Sequence, residues 1–429
     1  MSYHDDFRCS RLIACSMILL LCPAALGQTQ DFTNAPLSLS EAEHLALGQD
    51  PVTKQREAQA QAFSERAVAD GQLPDPQLSL GLGDVPSNFK VDEDPDTELQ
   101  LGLSQAFPRG RTLRYKSEQT NAMAQAENGR AEDQRRTVLK ALRAAYVELS
   151  HQTHALAILE DNRTLFAQLR EITEQQYAAG RDNQHEVLRA QLELSLLEER
   201  LAEVAGMRET AQADLAKWIT PAQAERPLPA QHPVLPEVPE LAALVASLRC
   251  HPLMQAESAM VQASMKSLAI AREQYKPGWM LNLMFGHRTS GGFEDNTSGE
   301  RFSAAVTVDL PLFREKRQDR TLASSQQEQA AAEYSRADRL RELMRMAQGE
   351  YATWKQLGKR LDIYSGHAAL EAAHNAEATF NAYQNGLTDF TTLARARMTV
   401  LETELARLRV QSERAKAQAN LLYLAGECP

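Results

Sequence analysis

Acidic side chains recur just after two glycine-containing turns, where they could act on passing cations. Asp182 and Glu186 follow Gly180, and Asp389 follows Gly386. If three copies of the chain surrounded one axis, these carboxylates would form rings, and acidic rings in pores attract and select cations. Acidic residues are also favoured at the start of any helix, because the helix dipole is positive there. The sequence leaves both interpretations open.

Two arginines follow these acids by about one helical turn, at positions that match between the two regions. Arg189 and Arg395 could hold a closed aperture through ion pairs, or they could bind a partner protein. They could equally be solvated residues of an exposed helix face, where ion pairs contribute little to stability. The candidate residues of a gate are therefore Asp182, Glu186, Arg189, Asp389 and Arg395.

Ten histidines raise the question of a metal site. His151 and His154 are three residues apart, and His367 and His374 are seven apart, so each pair lies on one helix face. A metal site needs ligands that converge, and neither an HExxH nor a CxxC spacing is present. We therefore predict no metal site.

Enzymatic chemistry finds no support in the sequence. It contains no phosphate-binding loop, no nucleophile elbow and no glycine-rich nucleotide fingerprint. The formal net charge of −11 also disfavours binding to nucleic-acid phosphates, which requires a basic surface. We expect no enzymatic activity, no catalytic residue, no cofactor and no nucleic-acid partner.

The first 27 residues have the pattern of a secretory signal peptide. Arg8 and Arg11 precede an apolar run at 12–21, and small residues follow, ending at Gly27. The apolar run is too short to span a bilayer. We predict that residues 1–27 are removed and that the mature chain is exported.

Cysteines contribute little to the predicted fold. Only Cys250 and Cys428 lie beyond the signal peptide, so the sequence implies no disulfide framework. Cys250 precedes His251, and such a pair is more often structural than a metal site. Lipid attachment at Cys22 stays open, because the residue before it is Leu21 rather than a small one.

The chain repeats itself. The pair Asp50-Pro51 recurs as His251-Pro252, and the segment Tyr177-Ala-Ala-Gly180 recurs as Tyr383-Gln-Asn-Gly386. Matched segments of this kind, about 200 residues apart, indicate a duplicated structural unit.

A proline-rich connector separates the two copies. Residues 219–239 contain six prolines, and proline lacks a backbone donor and fixes φ, so this stretch is predicted to be extended. The predicted repeats are residues 28–218 and 240–429, each containing a helix, a strand pair, a long helix and a return helix.

Very long helices are the dominant predicted elements. The expected helices of the first copy are 37–71, 113–178 and 184–218, and those of the second are 241–275, 317–385 and the segment after Gly386. The helix at 113–178 would be about 100 Å long, too long for one compact domain. Apolar residues spaced seven apart, such as Leu194 and Leu201, indicate coiled-coil packing. The shorter helices, stacked end to end in pairs, would match the long ones.

Between the first and second helices of each copy lie two short strands with period-two alternation. Alternation places all apolar side chains on one face, which we expect to contact membrane lipid. The residues predicted on this face are Leu78, Leu80, Leu82, Leu99, Leu101, Leu103, Leu281, Leu283, Phe285, Val306 and Val308.

Four strands per chain cannot close a barrel alone, and open edges in lipid would leave backbone groups without partners. Two chains would supply eight strands, whose interior is filled by side chains, whereas three supply twelve strands and a lumen. The predicted fold class is an α+β membrane protein. It is a homotrimer, in which a twelve-stranded β-barrel, four strands from each chain, continues into a long α-helical coiled-coil barrel.

The duplication, the strand pairs and the turn sequences at 177–180 and 383–386 resemble the TolC family of outer-membrane efflux proteins over nearly the whole mature chain. Two further segments, Leu73-Pro-Asp-Pro76 and Gln105-Ala-Phe-Pro-Arg-Gly110, resemble its heavy-metal branch of the CzcC and CusC type. The lipobox typical of many relatives is degraded at Leu21-Cys22.

The resemblance implies a passive exit duct in the bacterial outer membrane, with its helical barrel in the periplasm. A periplasmic adaptor would join it to an inner-membrane transporter of the resistance-nodulation-division (RND) type. The turns lie at the far end of the long helices, nearest the pump, so we expect Tyr177, Gly180, Tyr383 and Gly386 to contact the adaptor. The expected cargo is heavy-metal cations; the alternatives are a multidrug duct and a soluble periplasmic coiled-coil scaffold.

Overall fold

The computed structural model describes residues 35–87, 97–181, 183–288 and 299–425 of the 429-residue chain. The predicted signal peptide at 1–27 and the candidate gate residue Asp182 lie outside the described residues.

The elements occur in the same order in both halves, in agreement with the predicted duplication. The first half contains α1 (Leu39–Gln49), α2 (Pro51–Asp70), β1 (Gln77–Gly83), β2 (Glu98–Phe107), α3 (Thr112–Ala178) and α4 (Gln184–Ala216). A short helix, α5 (Pro221–Ala224), lies in the connector. The second half contains α6 (Leu241–Ser247), α7 (Pro252–Glu273), β3 (Gly278–Arg288), β4 (Glu300–Asp309), α8 (Gln318–Ile363), α9 (Ala369–Gln384) and α10 (Phe390–Leu424).

Asp50 and His251 begin new helices rather than merely bending one. Asp50 Oδ2 accepts hydrogen bonds from the backbone N–H of Thr53 at 2.7 Å and from its hydroxyl at 2.6 Å. His251 Nδ1 accepts one from the backbone N–H of Leu253 at 3.3 Å. A proline fills the first position of each new helix, where no N–H is needed. The recurring Asp50-Pro51 and His251-Pro252 pairs therefore mark breaks between separately capped helices.

The shorter helices stack end to end along the long ones. α3 has 67 residues and is about 100 Å long. One buried apolar cluster joins Ala42 of α1, Leu142 of α3 and Leu215 of α4, so the start of α1 meets the end of α4 beside the middle of α3. In the second half an equivalent cluster joins Leu248, Leu343 and Leu421. This arrangement agrees with the stacking predicted from helix lengths.

The long helix of the second half is helical throughout 318–384, in agreement with the helix expected over 317–385, but its hydrogen-bond pattern changes once. One wider, π-helical turn at Tyr364–Ala368 separates α8 from α9. Gly366 lies within this turn and lowers the local preference for a regular helix. Tyr364 also packs on an apolar cluster with Leu357 and Val410. None of the helices in the described part of the chain is both long enough and apolar enough to cross a bilayer.

The connector is extended, apart from α5, and is fastened to both halves. Arg226, only 6% exposed, pairs through Nη1 with Glu41 Oε1 at 2.7 Å. The amide of Gln418 in α10 donates to the carbonyl oxygen of Pro236 at 2.7 Å. The connector therefore fixes the position of one half against the other, and is more than a spacer.

We expect the folded chain to lose stability as the pH falls from about 6.5 to about 4. Burial lowers the pKa of His251 to about 4, so folding favours its neutral ring, whereas the unfolded chain takes up a proton near pH 6.5. The contribution of the neutral His251 ring to folding stability is complete above about pH 6.5 and is lost as the pH falls to about 4, by roughly 3 kcal/mol. Thermal unfolding in detergent, measured over this range, should be less pH-dependent in His251→Asn, which retains a capping side chain.

The matched control is His374→Asn, because His374 is exposed on α9. It should unfold with the same pH dependence as the parent. If His251→Asn also keeps the full pH dependence, burial of the His251 ring does not control acid stability.

Candidate functional site

The four strands form one antiparallel sheet in the order β1-β2-β3-β4. Directly opposite residues share a face, and the register pairs Leu80 with Leu101 and Leu101 with Phe285. Leu281 pairs with Val306 in the same way. All eleven residues predicted to face lipid therefore lie on one side of the sheet. We call this side the apolar face; Trp279 and Phe302 extend it.

Solvent reaches much of the apolar face in the isolated chain. Leu80 is 73% exposed and Val306 61% exposed, while Leu281 and Leu283 in the sheet centre are half-buried by their neighbours. Exposed apolar side chains in such number mark a surface that contacts lipid or another protein.

The opposite side, the polar face, carries small and polar residues such as Ser79, Gln100 and Asn282. Near its loop end Glu98, 4% exposed, lies 3.3 Å from Arg288 Nε and 3.1 Å from Arg301 Nη1. No motif in the sequence predicts this ion-pair network. The three residues are far apart in the sequence, and only the strand register shows that they share one face of the sheet.

Gly180 and Gly386 end the two helical hairpins with the same backbone geometry. Their φ values are +70° and +71°, in the left-handed region that glycine adopts without strain. The N–H groups of Gly180 and Arg181 donate to the carbonyls of Tyr177 and Gln176, both at 2.9 Å. The second turn repeats this pattern, which is the Schellman motif. We call residues 177–180 and 383–386 the tips.

The two tip tyrosines differ in exposure. Tyr177 is 47% exposed. Tyr383 is buried, its hydroxyl lies 3.2 Å from Thr173 Oγ1 of α3, and its ring meets Phe390 edge-on at 6.2 Å. The expectation that Tyr383 contacts an adaptor directly is therefore corrected, because neighbouring helices already cover its ring. Tyr177 is the available side chain.

The two described acids beside the tips lie at the starts of helices, and Asp389 is a helix cap. Asp389 Oδ1 accepts from the backbone N–H of Thr392 at 2.8 Å, and hydrogen bonds from Thr392 lower the pKa of this exposed carboxyl. Glu186 lies in the first turn of α4 and accepts a hydrogen bond from the Thr391 hydroxyl at 3.5 Å. Asp389 therefore has the ordinary role of an acid at a helix start. Glu186 also links the two hairpins through its hydrogen bond with Thr391.

The two candidate gate arginines do not pair with these acids across the hairpins within the described residues. Arg189 Nε lies 3.3 Å from Glu193 Oε1, one turn along its own helix. Arg395 is exposed, and its charge also favours the ionised form of Asp389, which contributes to the lowered pKa. Among the described residues of one chain, neither arginine forms an ion pair that joins the tips.

The histidines form structural contacts. His154 Nε2 lies 2.9 Å from the Ala230 carbonyl, and its ring stacks on His232 at 4.4 Å. Burial lowers the pKa of His232 to about 4. Cys250 is disulfide-bonded, so it offers no thiolate. No group of three potential metal ligands converges within the described ranges.

A sheet with one exposed apolar face, joined to helical hairpins about 100 Å long, is the architecture of a membrane-channel subunit. The family model described as outer membrane efflux protein matches residues 43–219 and 244–427. The chain therefore belongs to the outer membrane efflux protein family, whose members are outer-membrane channels rather than enzymes. This confirms the resemblance at the level of the family, together with an outer-membrane location.

Solved channel structures share the fold. The outer-membrane channel OprN is 20% identical with a TM-score of 0.75, covering 91% of this chain and 90% of that one. VceC from Vibrio cholerae is 19% identical with a TM-score of 0.75, covering 90% and 96%. CusC is 15% identical with a TM-score of 0.76, covering 94% and 96%. Comparison with curated protein sequences gives no significant match.

Replacing either tip glycine by alanine should destabilise the hairpin end by about 1 kcal/mol, because a Cβ is strained at positive φ. No other atom lies within 4 Å of the new Cβ at Gly180 or Gly386, so the effect is purely conformational. Limited proteolysis should cut Gly180→Ala and Gly386→Ala faster at the tips than the parent.

Gly206→Ala is the control, since Gly206 lies within α4 and its Cβ would also meet open space. Alanine is favoured inside a helix, so this variant should be as resistant as the parent or more so. Equal cleavage of all three variants would show that positive φ does not limit tip stability.

Proposed function

We propose that three copies of this chain form the outer-membrane duct of a tripartite efflux system. The observation that carries the proposal is the sheet, which combines an exposed apolar face with edge strands β1 and β4 that have no partner in the described part of the chain. Unpaired backbone edges are not tolerated in lipid. The sheet therefore requires neighbours that cover both edges.

Copies of the same chain can pair with both sheet edges while the antiparallel order of the strands is kept. The four strands alternate in direction, so β4 runs antiparallel to β1. Pairing β4 of one copy with β1 of the next continues the same antiparallel ladder around a closed ring. Three copies supply twelve strands, enough for a lumen, and the polar face then lines it. The long hairpins would surround the same axis as a periplasmic barrel.

The tips are the proposed contact with a periplasmic adaptor, which would connect the duct to an inner-membrane RND transporter. The exposure of Tyr177 supports this assignment, and the glycine turns present it at the end of the hairpin. The acids and arginines beside the tips are the proposed aperture. In a trimer Glu186 and Asp389 would form rings of carboxylates, since both already lie beside the reversal.

For the cargo we propose heavy-metal cations, on the basis of the segments at 73–76 and 105–110. A multidrug duct is the alternative, because the channels OprN, VceC and CusC are similar to this chain to nearly the same degree. The sheet itself offers little discrimination. Its polar-face carboxylates Glu98 and Asp309 both lie near arginines, at 3.1 Å and 3.9 Å. Selection of the solute would then belong to the pump.

An arginine on the apolar face should prevent stable insertion. Leu101→Arg places a charge among lipid chains, at a cost of about 2–4 kcal/mol per chain near the bilayer centre. We expect loss of the heat-modifiable, detergent-extracted oligomer from the outer-membrane fraction. The control is Gln100→Arg, which changes the adjacent residue on the polar face. If both variants assemble equally well, the apolar face does not contact lipid, and a soluble coiled-coil scaffold becomes the better description.

The cargo can be identified by deleting the gene and measuring growth with zinc, cobalt, cadmium or copper salts and with a panel of drugs. A heavy-metal duct predicts reduced metal tolerance, restored by the parent gene and not by the gene carrying Leu101→Arg. Unchanged metal tolerance together with lost drug tolerance would reject the metal assignment and leave the duct itself intact.

A further inference from the structure

Basic side chains concentrate where the sheet meets the helices. Residues 108–117 lead from β2 into α3 and contain four basic residues and no acidic one. Residues 310–320 lead from β4 into α8 and contain four basic residues and two acidic ones. We call these the junction segments. The whole chain has a formal charge of −11, so the junction segments are positive regions of an acidic protein.

The second junction segment also exposes apolar side chains. Leu310 is 64% exposed, Leu312 71% and Phe313 83%. The backbone turns sharply there, since the N–H of Leu312 donates to the carbonyl oxygen of Leu310 at 2.9 Å. The segment therefore continues the apolar surface of β4 past the end of the ladder.

Cations follow these apolar residues directly. Arg314, Lys316 and Arg317 are all exposed, and none has a carboxylate within 4.0 Å among the described residues. Arg314 Nε donates to the carbonyl oxygen of Pro311 at 3.1 Å, and the Arg314 guanidinium lies over the Tyr275 ring, 5.9 Å from its centroid. Their charges thus remain available to an external anion.

An aromatic pair marks the same level of the sheet. Trp279 pairs with Val308 at the helix end of β3 and β4, and its ring stacks on Phe107 at 3.9 Å. Tryptophan is enriched where a membrane meets water. A cleft of about 360 Å³ opens beside Trp279, and Lys116 of the first junction segment lines it. The junction segments therefore lie at the edge of the expected hydrocarbon region.

We propose that the second junction segment binds phospholipids with anionic headgroups, in the leaflet on the helix side of the membrane. In the first segment, Arg109 and Arg114 already lie beside Asp309 and Glu118, at 3.9 Å and 2.7 Å. Leu312 and Phe313 lie among the acyl chains, while Arg314, Lys316 and Arg317 contact headgroup phosphates. Long basic side chains place their charges at the interface while their stems remain in apolar surroundings, and clustered cations attract anionic lipids. This inference rests on the proposed function, because it requires the apolar face to be in lipid.

Trp279 can report the lipid beside it. The chain has three tryptophans, and Trp218→Phe with Trp354→Phe leaves Trp279 alone. The full-length protein is placed in vesicles that contain brominated phosphatidylglycerol or brominated phosphatidylcholine, and quenching of its fluorescence is measured. We expect stronger quenching by the anionic lipid. Replacing Arg314, Lys316 and Arg317 by glutamine should reduce the relative affinity for this lipid about tenfold or more.

The matched control removes three exposed cations from the helical part, by Arg341→Gln, Lys355→Gln and Lys359→Gln. This control should keep the preference for anionic lipid. If the control loses the preference, total charge and not the junction segment determines lipid binding, and the inference is wrong. Equal quenching of the parent by the two lipids would overturn the inference, and is expected if the segment packs against a neighbouring copy. Quenching by neither lipid would contradict the membrane-embedded sheet, and with it the lipid contact.

Discussion

The two edges of the sheet, β1 and β4, find no strand partner among the described residues, and this is the constraint on which the architecture depends. The apolar face would be stabilised by lipid, yet the same lipid offers no hydrogen-bond partner to the two sheet edges. Four strands leave two edges whatever their side chains are. Only further strands can cover them, and copies of the same chain supply strands of the required length and direction. Assembly is therefore a requirement of the membrane-bound state, and the helical hairpins must follow the same symmetry.

The helices meet a second constraint, which is length. A helix of 67 residues cannot be buried along its whole course by one partner of ordinary size. The chain provides two shorter helices that meet at its middle, with Leu142 and Leu215 in one buried cluster. Ser38 caps the helix α1 that begins at this meeting point, and Asp50 caps α2, which continues the row of shorter helices. Connector contacts, such as Arg226 with Glu41, hold this region together.

The sequence predicted the features that follow from a regular repeat of residue types, and it did not predict the features that depend on contacts between distant residues. Alternating leucines gave the correct face for every predicted strand residue, because a period of two leaves no choice once one side is apolar. Heptads and glycines likewise located the hairpins. The exposure of the tip tyrosines could not be predicted, because the two tip motifs are similar and the burial of each tyrosine depends on the helices that surround it. The π-helical turn at Tyr364–Ala368 depends on packing, and the Glu98 network depends on strand register. No local sequence pattern encodes either.

The tips show how the duplicated halves have come to differ. Tyr383 bonds to Thr173 of the first hairpin, and Glu186 bonds to Thr391 of the second, so contacts cross between the two hairpins in both directions. A buried cluster that contains Phe166 and Phe390 lies beneath them. Any movement of one hairpin end away from the other must expose this cluster and break those bonds. The two tips of one chain are therefore expected to move together.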